Sequence, residues 1–267
     1  MKQLFAWMVS SSLAFSVATL CAGWCNLARA QPSVKLLNAS HPLYKLVGQV
    51  SVPHYPKNYG QGSFVGDDGC HVLTNYHVAF ADGLDAEGQT KTLADPLVGS
   101  DVTFSYNPDD AGRFQNVIGG KVEAFGNFMF GAPRGRLGDL ALIRLSECQM
   151  GIHPLKFDPT AVGKRIPTGK LSTLTAIRTS ANENVVVSEE GCQAFHNTPV
   201  TGLIFSTCIA EGGTSANLLL SRTSDGTYQV VGIGSGHGPA VDGRTIAIGI
   251  LASTIAKFLG ESGIPVP

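Results

Sequence analysis

The sequence predicts an all-β protein that ends in one short helix. Short apolar runs alternate with clusters of Gly, Asn, Asp and Pro, which is the pattern of strands joined by turns. Composition agrees, because Gly accounts for 32 of the 267 residues and charged residues for only 15%, as in compact β proteins with many turns. Only the segment Leu251–Leu259 places its apolar residues on one helical face, and Gly260 follows it as a stop signal. The residues of that face are Leu251, Ile255, Phe258 and Leu259.

Eight segments are predicted to be strands from their β-branched and apolar content. They are Val47–Val52, His71–Asn75, Asp101–Tyr106, Leu140–Leu145, Asn184–Ser188, Leu203–Phe205, Tyr228–Val231 and Thr245–Ile250. We interpret the polar triplet Glu189–Gly191 as a break between the fifth strand and Cys192. A boundary near Pro154–Pro167 would cut the chain that follows the first thirty residues into two similar halves.

The first thirty residues have the features of a secretory signal peptide. Lys2 gives a basic start, an apolar stretch follows, and Ala28–Ala30 has the small-x-small form of a cleavage site. Serines at positions 10–12 interrupt the stretch, which makes it marginal for a membrane span of roughly 20 apolar residues. We therefore expect cleavage after Ala30 and an exported protein, periplasmic or extracellular.

The net charge argues against polyanionic partners. Loss of Lys2 and Arg29 with the signal lowers the number of basic residues from 19 to 17 against 20 acidic ones, so the net charge becomes −3. A chain with no basic surplus has no electrostatic reason to bind nucleic acid or an anionic membrane. We expect neither as a partner.

Four cysteines remain after the signal, namely Cys70, Cys148, Cys192 and Cys208. An even number in an exported protein favours two disulfides, for which four cysteines allow three pairings. Zinc is the competing use of such a set, but none of the four forms a C-x-x-C pair. We favour disulfides.

Three segments contain the parts of a nucleophilic site in the chain order His, Asp, Ser. A hydroxyl becomes a nucleophile when a base accepts its proton, a third group orients that base, and backbone N–H groups hold the oxyanion. A β run that begins at Val72 leads directly into His77, Asp139 directly precedes an apolar strand, and two glycines precede Ser215 in a turn-forming segment. Each signal is modest alone, so the prediction depends on their co-occurrence and order.

The same segments resemble the trypsin-like (chymotrypsin-fold) serine peptidases, particularly the bacterial secreted branch. Likeness extends from about Val47 to Leu259. The matching blocks are Leu73–Val78 around the base, Gly138–Ile143 around the acid, Glu211–Ser215 at the nucleophile and Tyr228–Gly236 along the pocket-lining strand. The resemblance implies two packed antiparallel six-stranded β-barrels with a short C-terminal helix. The first, 31–154, would carry the His and Asp, and the second, 155–267, the Ser and the helix.

The resemblance also assigns roles to the residues that match. His77 would be the general base, Asp139 would orient it, and Ser215 would be the nucleophile. The N–H groups of Gly213 and Ser215 would form the oxyanion hole. The implied function is a serine endopeptidase that cuts a peptide or protein through an acyl-enzyme, acting as a monomer without metal or organic cofactor.

Three further residues would contact the substrate in this resemblance. Ile209 lies near the floor of the primary specificity pocket, which argues against a preference for Lys or Arg. Ser235 belongs to the pocket-lining strand. His237 lies just beyond it, where contact with an acidic side chain of the substrate is conceivable and a plain loop histidine is the more common case.

The segment after the predicted nucleophile departs from the family pattern. The family continues with Gly-Gly-Pro or Gly-Ser-Pro, whereas this chain has Ala216-Asn217-Leu218. This departure motivates one alternative to a peptidase, an inactive binding protein with the same fold. A second alternative is an esterase that uses the same triad. Thr214 is an alternative nucleophile in a register shifted by one residue, but Ser215 keeps Gly213 in its usual place.

Spacing supports one pairing of the cysteines. If the strands at His77 and Asp139 are antiparallel, Cys70, 7 residues before the histidine, and Cys148, 9 residues after the aspartate, travel similar distances to the far end. That would bring their Cα atoms within the roughly 7 Å a disulfide needs. We favour Cys70–Cys148, which leaves Cys192–Cys208 as the second pair.

One histidine near the predicted base invites a different interpretation. His71 is six residues before His77 and would share a strand face with it, which could suggest a metal pair. Because no third ligand lies nearby in the sequence, we predict no metal site and a solvent-facing His71.

Overall fold

A computed structural model describes residues 32–53, 55–80, 83–84, 90–91, 98–110, 112–128, 135–158, 172–179, 185–195, 201–209, 213–239 and 245–266. The predicted signal peptide and its cleavage site lie outside these ranges. The strands are β1 (Ser33–Leu36), β2 (Val47–Val52), β3 (Tyr55–Val65), β4 (His71–Thr74), β5 (Gly83–Leu84), β6 (Thr90–Lys91), β7 (Asp101–Pro108), β8 (Phe114–Phe125), β9 (Ala141–Leu145), β10 (Ser172–Thr179), β11 (Val186–Phe195), β12 (Leu203–Ser206), β13 (Leu218–Arg222), β14 (Tyr228–Pro239) and β15 (Thr245–Leu251). The helices are α1 (Tyr76–Ala79) and α2 (Ala252–Glu261).

The first barrel closes in the order β2-β3-β4-β9-β8-β7, and all neighbouring strands in it are antiparallel. Among the described strands, β5 and β6 pair only with each other. The interior of the barrel is filled by large apolar side chains on alternate strand positions, which include Val50, Phe64, Val72, Phe104, Ile118 and Ile143.

The second barrel is built from strands β10 to β15. They form a sheet in the order β1-β11-β10-β13-β14-β15-β12, and the pairing of β11 with β12 closes six of these strands into a barrel. The predicted all-β fold of two antiparallel six-stranded barrels with a short C-terminal helix is therefore confirmed. Helix α2 buries Ile255 and Leu259 and partly buries Phe258, as the apolar face predicted.

The barrels pack through a core that both of them share. Strands β4 and β9 are buried on both faces, because Val72 and Ile143 point into the first barrel while Leu73 and Leu142 point into the shared core. Two buried faces explain why these two strands read as continuous apolar runs rather than as an alternation of apolar and polar residues.

The N-terminal segment crosses to the second barrel. Strand β1 pairs with β11, with Ser33 opposite Glu190, although the sequence assigned it to the first domain. The domain limits 31–154 and 155–267 stay a prediction.

The predicted break at Glu189–Gly191 is wrong. Strand β11 runs through all three residues, and Gly191 is the extra residue of a bulge, since Cys192 and Glu190 pair with consecutive residues of β10. A bulge uses polar residues and glycine as a turn does, which is why the sequence pattern misled.

The prediction of a solvent-facing His71 is also wrong. His71 is 3% exposed, and its ring nitrogens lie 2.9 Å from Asp68 Oδ2 and 3.0 Å from Glu123 Oε2. Partial burial of Asp68 opposes ionisation, but the Cys70 N–H and the His71 ring together lower the pKa of this carboxyl below its usual 3.8. Two carboxylates, one on a turn and one on strand β8, thus enclose a histidine that was predicted to face solvent.

The four cysteines lie in the two predicted pairs. Cα atoms are 4.2 Å apart in Cys70–Cys148 and 5.0 Å apart in Cys192–Cys208. Among the described residues, none of the helices is both long and apolar enough to cross a membrane. Within the same ranges, no group of three or more His, Cys, Asp or Glu side chains is arranged to hold a metal ion.

Candidate active site

Strand pairing brings His77 and Asp139 together. Strands β4 and β9 are antiparallel, with Thr74 opposite Ala141, so the end of one meets the start of the other. His77 follows β4 in the short helix α1, and Asp139 precedes β9. Asn75 ties the two ends directly, because its side-chain amide donates to the Asp139 carbonyl over 2.8 Å.

A continuous hydrogen-bonded path joins the three residues predicted as a triad. His77 Nδ1 lies 2.9 Å from each carboxylate oxygen of Asp139, and His77 Nε2 lies 2.8 Å from Ser215 Oγ. The Asp139 side chain is fully buried, whereas that of His77 is 21% exposed. A carboxylate at Nδ1 selects the tautomer with a proton on that nitrogen, which leaves Nε2 free to accept from the hydroxyl.

Ser235 contacts Asp139 rather than open space. Its hydroxyl donates to Asp139 Oδ2 over 2.5 Å, and the side chain is buried. The contact arises because Ser235 is the extra residue of a bulge, since Gly234 and Gly236 pair with consecutive residues of β15. The Ser235 hydroxyl therefore helps to hold the acid in place, and contact of this residue with a substrate stays a prediction.

The predicted nucleophile lies in a turn, residues 213–217 (the nucleophile turn). A bond from the Asn217 N–H to the Thr214 carbonyl, 3.1 Å long, closes this turn. Ala216 in this turn has a φ of 64°, a left-handed conformation that glycine adopts without steric cost. This explains the glycine of the family pattern and shows that alanine is accommodated in the same backbone shape. The hydroxyl that reaches His77 belongs to Ser215, while Thr214 is buried.

The two N–H groups predicted as an oxyanion hole lie in this turn. Among the described residues, neither the Gly213 N–H nor the Ser215 N–H donates to a protein acceptor. Both residues are partly exposed. Two neighbouring N–H groups that have no acceptor among the described residues suit a negatively charged oxygen.

Gln61, a residue that the sequence analysis missed, fastens the nucleophile turn to the opposite barrel. Its side chain is buried and donates from Nε2 to the Gly213 carbonyl over 2.8 Å and to the Thr179 carbonyl over 3.2 Å. Its Oε1 accepts from the N–H and hydroxyl of Thr179, both 2.7 Å away. Its own N–H donates to the Ser215 carbonyl over 2.7 Å.

Close packing of β3 against Val78, beside the turn, requires glycine at position 60. A Cβ atom built on Gly60 would lie 2.3 Å from Val78 Cγ2 and 3.3 Å from the Ser215 carbonyl oxygen. The sequence signal is a polar residue between two glycines, Gly60-Gln61-Gly62. Without the fold, that pattern is indistinguishable from a turn.

The remaining predicted substrate contacts lie on two elements. The Ile209 N–H donates to both carboxylate oxygens of Glu189, 2.8 and 2.9 Å away, and Glu189 is fully buried. A buried carboxylate that accepts backbone N–H groups fixes the conformation of the segment it binds. His237 is exposed on β14 opposite Ala247.

An aromatic cluster lies beside His77 in the first barrel. Phe128 lies 6.2 Å from the His77 ring and 5.5 Å from Tyr76, between ring centroids. Tyr76 also contacts Phe80 and Phe125. These rings exclude water from one side of the imidazole, which strengthens its electrostatic interactions.

Comparison with known proteins supports the fold. No protein-family model and no curated protein matches the sequence. A solved structure that is similar is the protease Anisep from Arthrobacter nicotinovorans, with a TM-score of 0.53 and 14% identity over 82% of this chain and 95% of that chain. At this identity the likeness shows the fold alone. The chain therefore has the double β-barrel fold of the trypsin-like proteins.

Proposed function

We propose that this chain is an exported serine endopeptidase in which Ser215 is the nucleophile, His77 the general base and Asp139 the residue that orients the base. The single observation that carries the proposal is the unbroken path from the buried Asp139 carboxylate through His77 to the Ser215 hydroxyl. A hydroxyl, an imidazole and a buried carboxylate in this geometry generate a nucleophile at neutral pH.

The first half of the reaction forms an acyl-enzyme. Ser215 Oγ attacks the carbonyl carbon of the scissile bond while His77 Nε2 takes the hydroxyl proton. Asp139 stabilises the imidazolium that results, and the N–H groups of Gly213 and Ser215 bind the oxyanion. His77 then gives its proton to the leaving amine as the C–N bond breaks, and the acyl group stays on Ser215.

The second half restores the enzyme. His77 takes a proton from water, the hydroxide attacks the acyl carbon, and the proton returns to Ser215 Oγ as the product acid leaves. All steps use groups of the chain and water, and Ser235 and Asn75 keep Asp139 oriented throughout.

Export is supported by the cysteine pairs and by the N-terminal sequence. Two disulfides are typical of proteins that fold in oxidising compartments. The signal-like features of residues 1–30 point the same way.

Labelling with a fluorophosphonate probe tests the proposal. The probe reacts covalently with an activated serine, so we expect wild-type protein beginning at Gln31 to be labelled. Ser215→Ala and His77→Ala should abolish labelling, and Thr214→Ala should retain it. Near-ultraviolet circular dichroism confirms that each variant is folded.

Absence of labelling in folded wild type would favour the inactive binding protein. Loss of labelling in Thr214→Ala with retention in Ser215→Ala would assign the nucleophile to Thr214. A peptide-library digest then separates peptidase from esterase, because an esterase would be labelled and would hydrolyse esters while leaving every peptide intact.

A further inference from the structure

Strand β14 has an open edge beside the candidate active site. It pairs with β13 only as far as Ile233, whereas its pairing with β15 continues to Pro239. Among the described residues, no strand pairs with the other edge from Ser235 to Gly238. An open edge binds an extended peptide through main-chain hydrogen bonds. Because Ser235 touches Asp139, a peptide bound here would run past the triad.

The guanidinium of Arg136 lies on this edge. Its Nη1 donates to the Ser235 carbonyl over 3.3 Å. A Cβ atom built on Gly236 would lie 2.4 Å from the same Nη1. The cation thus occupies the space that any side chain at position 236 would fill. Arg136 is held there by a 3-10 turn, Gly135–Gly138, that leads directly into Asp139.

The charge of Arg136 is not neutralised by any described residue. The Ser235 carbonyl is its only polar contact within the described ranges, and it uses one of five N–H donors. Asp139, the acid nearest in sequence, has its carboxylate oxygens engaged by His77 and Ser235. A half-buried guanidinium with spare donors gains most from a carboxylate, which it binds with two parallel hydrogen bonds.

We propose that Arg136 binds an acidic side chain of the substrate, and that the enzyme selects peptides with Asp or Glu within about three residues of the scissile bond. The inference rests on the proposed peptidase function and adds its substrate class. The distance follows from the open edge, since its four residues span roughly 13 Å at about 3.3 Å per residue.

Paired fluorogenic peptides test the selectivity. In each pair one position is Glu or its uncharged isostere Gln, and the scan covers three positions on either side of the bond cut in the library digest. We expect kcat/KM of wild type to favour Glu by about 10- to 100-fold at one position, the range for a charge-assisted pair. Arg136→Gln should bring that ratio to about one, and Arg136→Lys should keep most of it.

Two controls separate recognition from folding. Arg144→Gln removes an exposed arginine that pairs with Glu123 on the first barrel, and it should leave the ratio unchanged. His237→Ala removes the exposed histidine of the same strand and tests whether that residue, rather than Arg136, recognises the acidic side chain. The rate of fluorophosphonate labelling reports the triad without a peptide, so Arg136→Gln should keep it.

A ratio near one in wild type, or a ratio that survives Arg136→Gln or disappears in His237→Ala, would overturn the inference. A binding measurement distinguishes failure of the acidic subsite from failure of the proposed peptidase function. Ser215→Ala protein is titrated with the same peptides by fluorescence anisotropy, and the Glu peptide should bind more tightly only when Arg136 is present. Tighter binding of Glu peptides without any cleavage would keep the acidic subsite and reject the peptidase. Equal binding of both peptides would reject the subsite.

Discussion

His77 and Asp139 stand at the ends of two strands that pair with each other, whereas Ser215 stands in a turn supported from the opposite barrel. Pairing of β4 with β9 sets the distance between the base and the acid. The position of the hydroxyl depends on contacts that cross the interface, above all the three bonds from Gln61 to Gly213, Ser215 and Thr179. The positions of His77 and Asp139 are thus set by a ladder of regular hydrogen bonds between strands, whereas the position of Ser215 is set by contacts of individual side chains.

Loss of the acid should have a far larger effect than loss of a hydrogen bond that supports it. Asp139→Asn presents an amide to His77 Nδ1 and allows the wrong tautomer, so kcat should fall about 10⁴-fold. Ser235→Ala removes one hydrogen bond to the same carboxylate and should cost only about tenfold. Peptide hydrolysis measures both. A fall of less than tenfold in Asp139→Asn would show that the path through His77 is not used.

Loss of the disulfide in the first barrel should lower stability more, whereas loss of the disulfide in the second barrel should lower activity more. Cys70–Cys148 closes 78 residues and Cys192–Cys208 closes 16, so chain entropy predicts losses of about 4.5 and about 3 kcal/mol on replacement by serine pairs. Activity should fall more on loss of Cys192–Cys208 than on loss of Cys70–Cys148. Cys208 precedes Ile209 in the segment that leads to Ser215, whereas the first disulfide lies at the far end of β4 and β9.

Urea unfolding measures the loss of stability in each double variant, and the fluorophosphonate labelling rate of the folded protein measures the loss of activity. Equal labelling rates in both double variants would show that the Cys192–Cys208 disulfide does not position the nucleophile turn.

Replacement of Gln61 tests whether the second half of the site depends on the interface. Gln61→Glu is isosteric but cannot donate to the Gly213 and Thr179 carbonyls, so kcat should fall about 10- to 100-fold with little change in KM. Thr74→Val is the matched control, because it removes a 2.6 Å bond to the Gln61 carbonyl without touching the turn. It should lower the unfolding temperature and leave kcat unchanged. Equal losses of kcat in both variants would reduce Gln61 to a structural residue.

The smallest effect is expected at Ala216. Replacement by glycine relieves a left-handed alanine, worth about 1 kcal/mol, but removes a buried methyl worth about 0.8 kcal/mol and loosens the unfolded chain. We therefore expect the free energy of unfolding to stay within about 1 kcal/mol and kcat to change less than threefold. Thermal unfolding and peptide hydrolysis check this. A rise in kcat of tenfold or more would show that alanine distorts the turn.

Sequence prediction succeeded where the residues of a single strand indicate its burial without reference to the rest of the chain. The runs that contain Val72, Leu73, Leu142 and Ile143 are apolar because both faces are buried, and that pattern is visible without the fold. It failed where a residue's environment comes from elsewhere in the chain. His71 is enclosed by carboxylates on a turn and on another strand, and Glu189 continues a strand while its side chain binds a distant N–H.

The sequence by itself predicted the fold class, the two cysteine pairs and the three residues of the proposed triad, because each leaves a local pattern or a fixed order along the chain. Only the tertiary structure decided what supports them. Gln61 reaches across the barrel interface to Gly213, a bulge turns Ser235 towards Asp139, and Gly236 leaves room for Arg136. Such contacts join residues far apart in sequence, and their geometry exists only once both barrels have closed and packed.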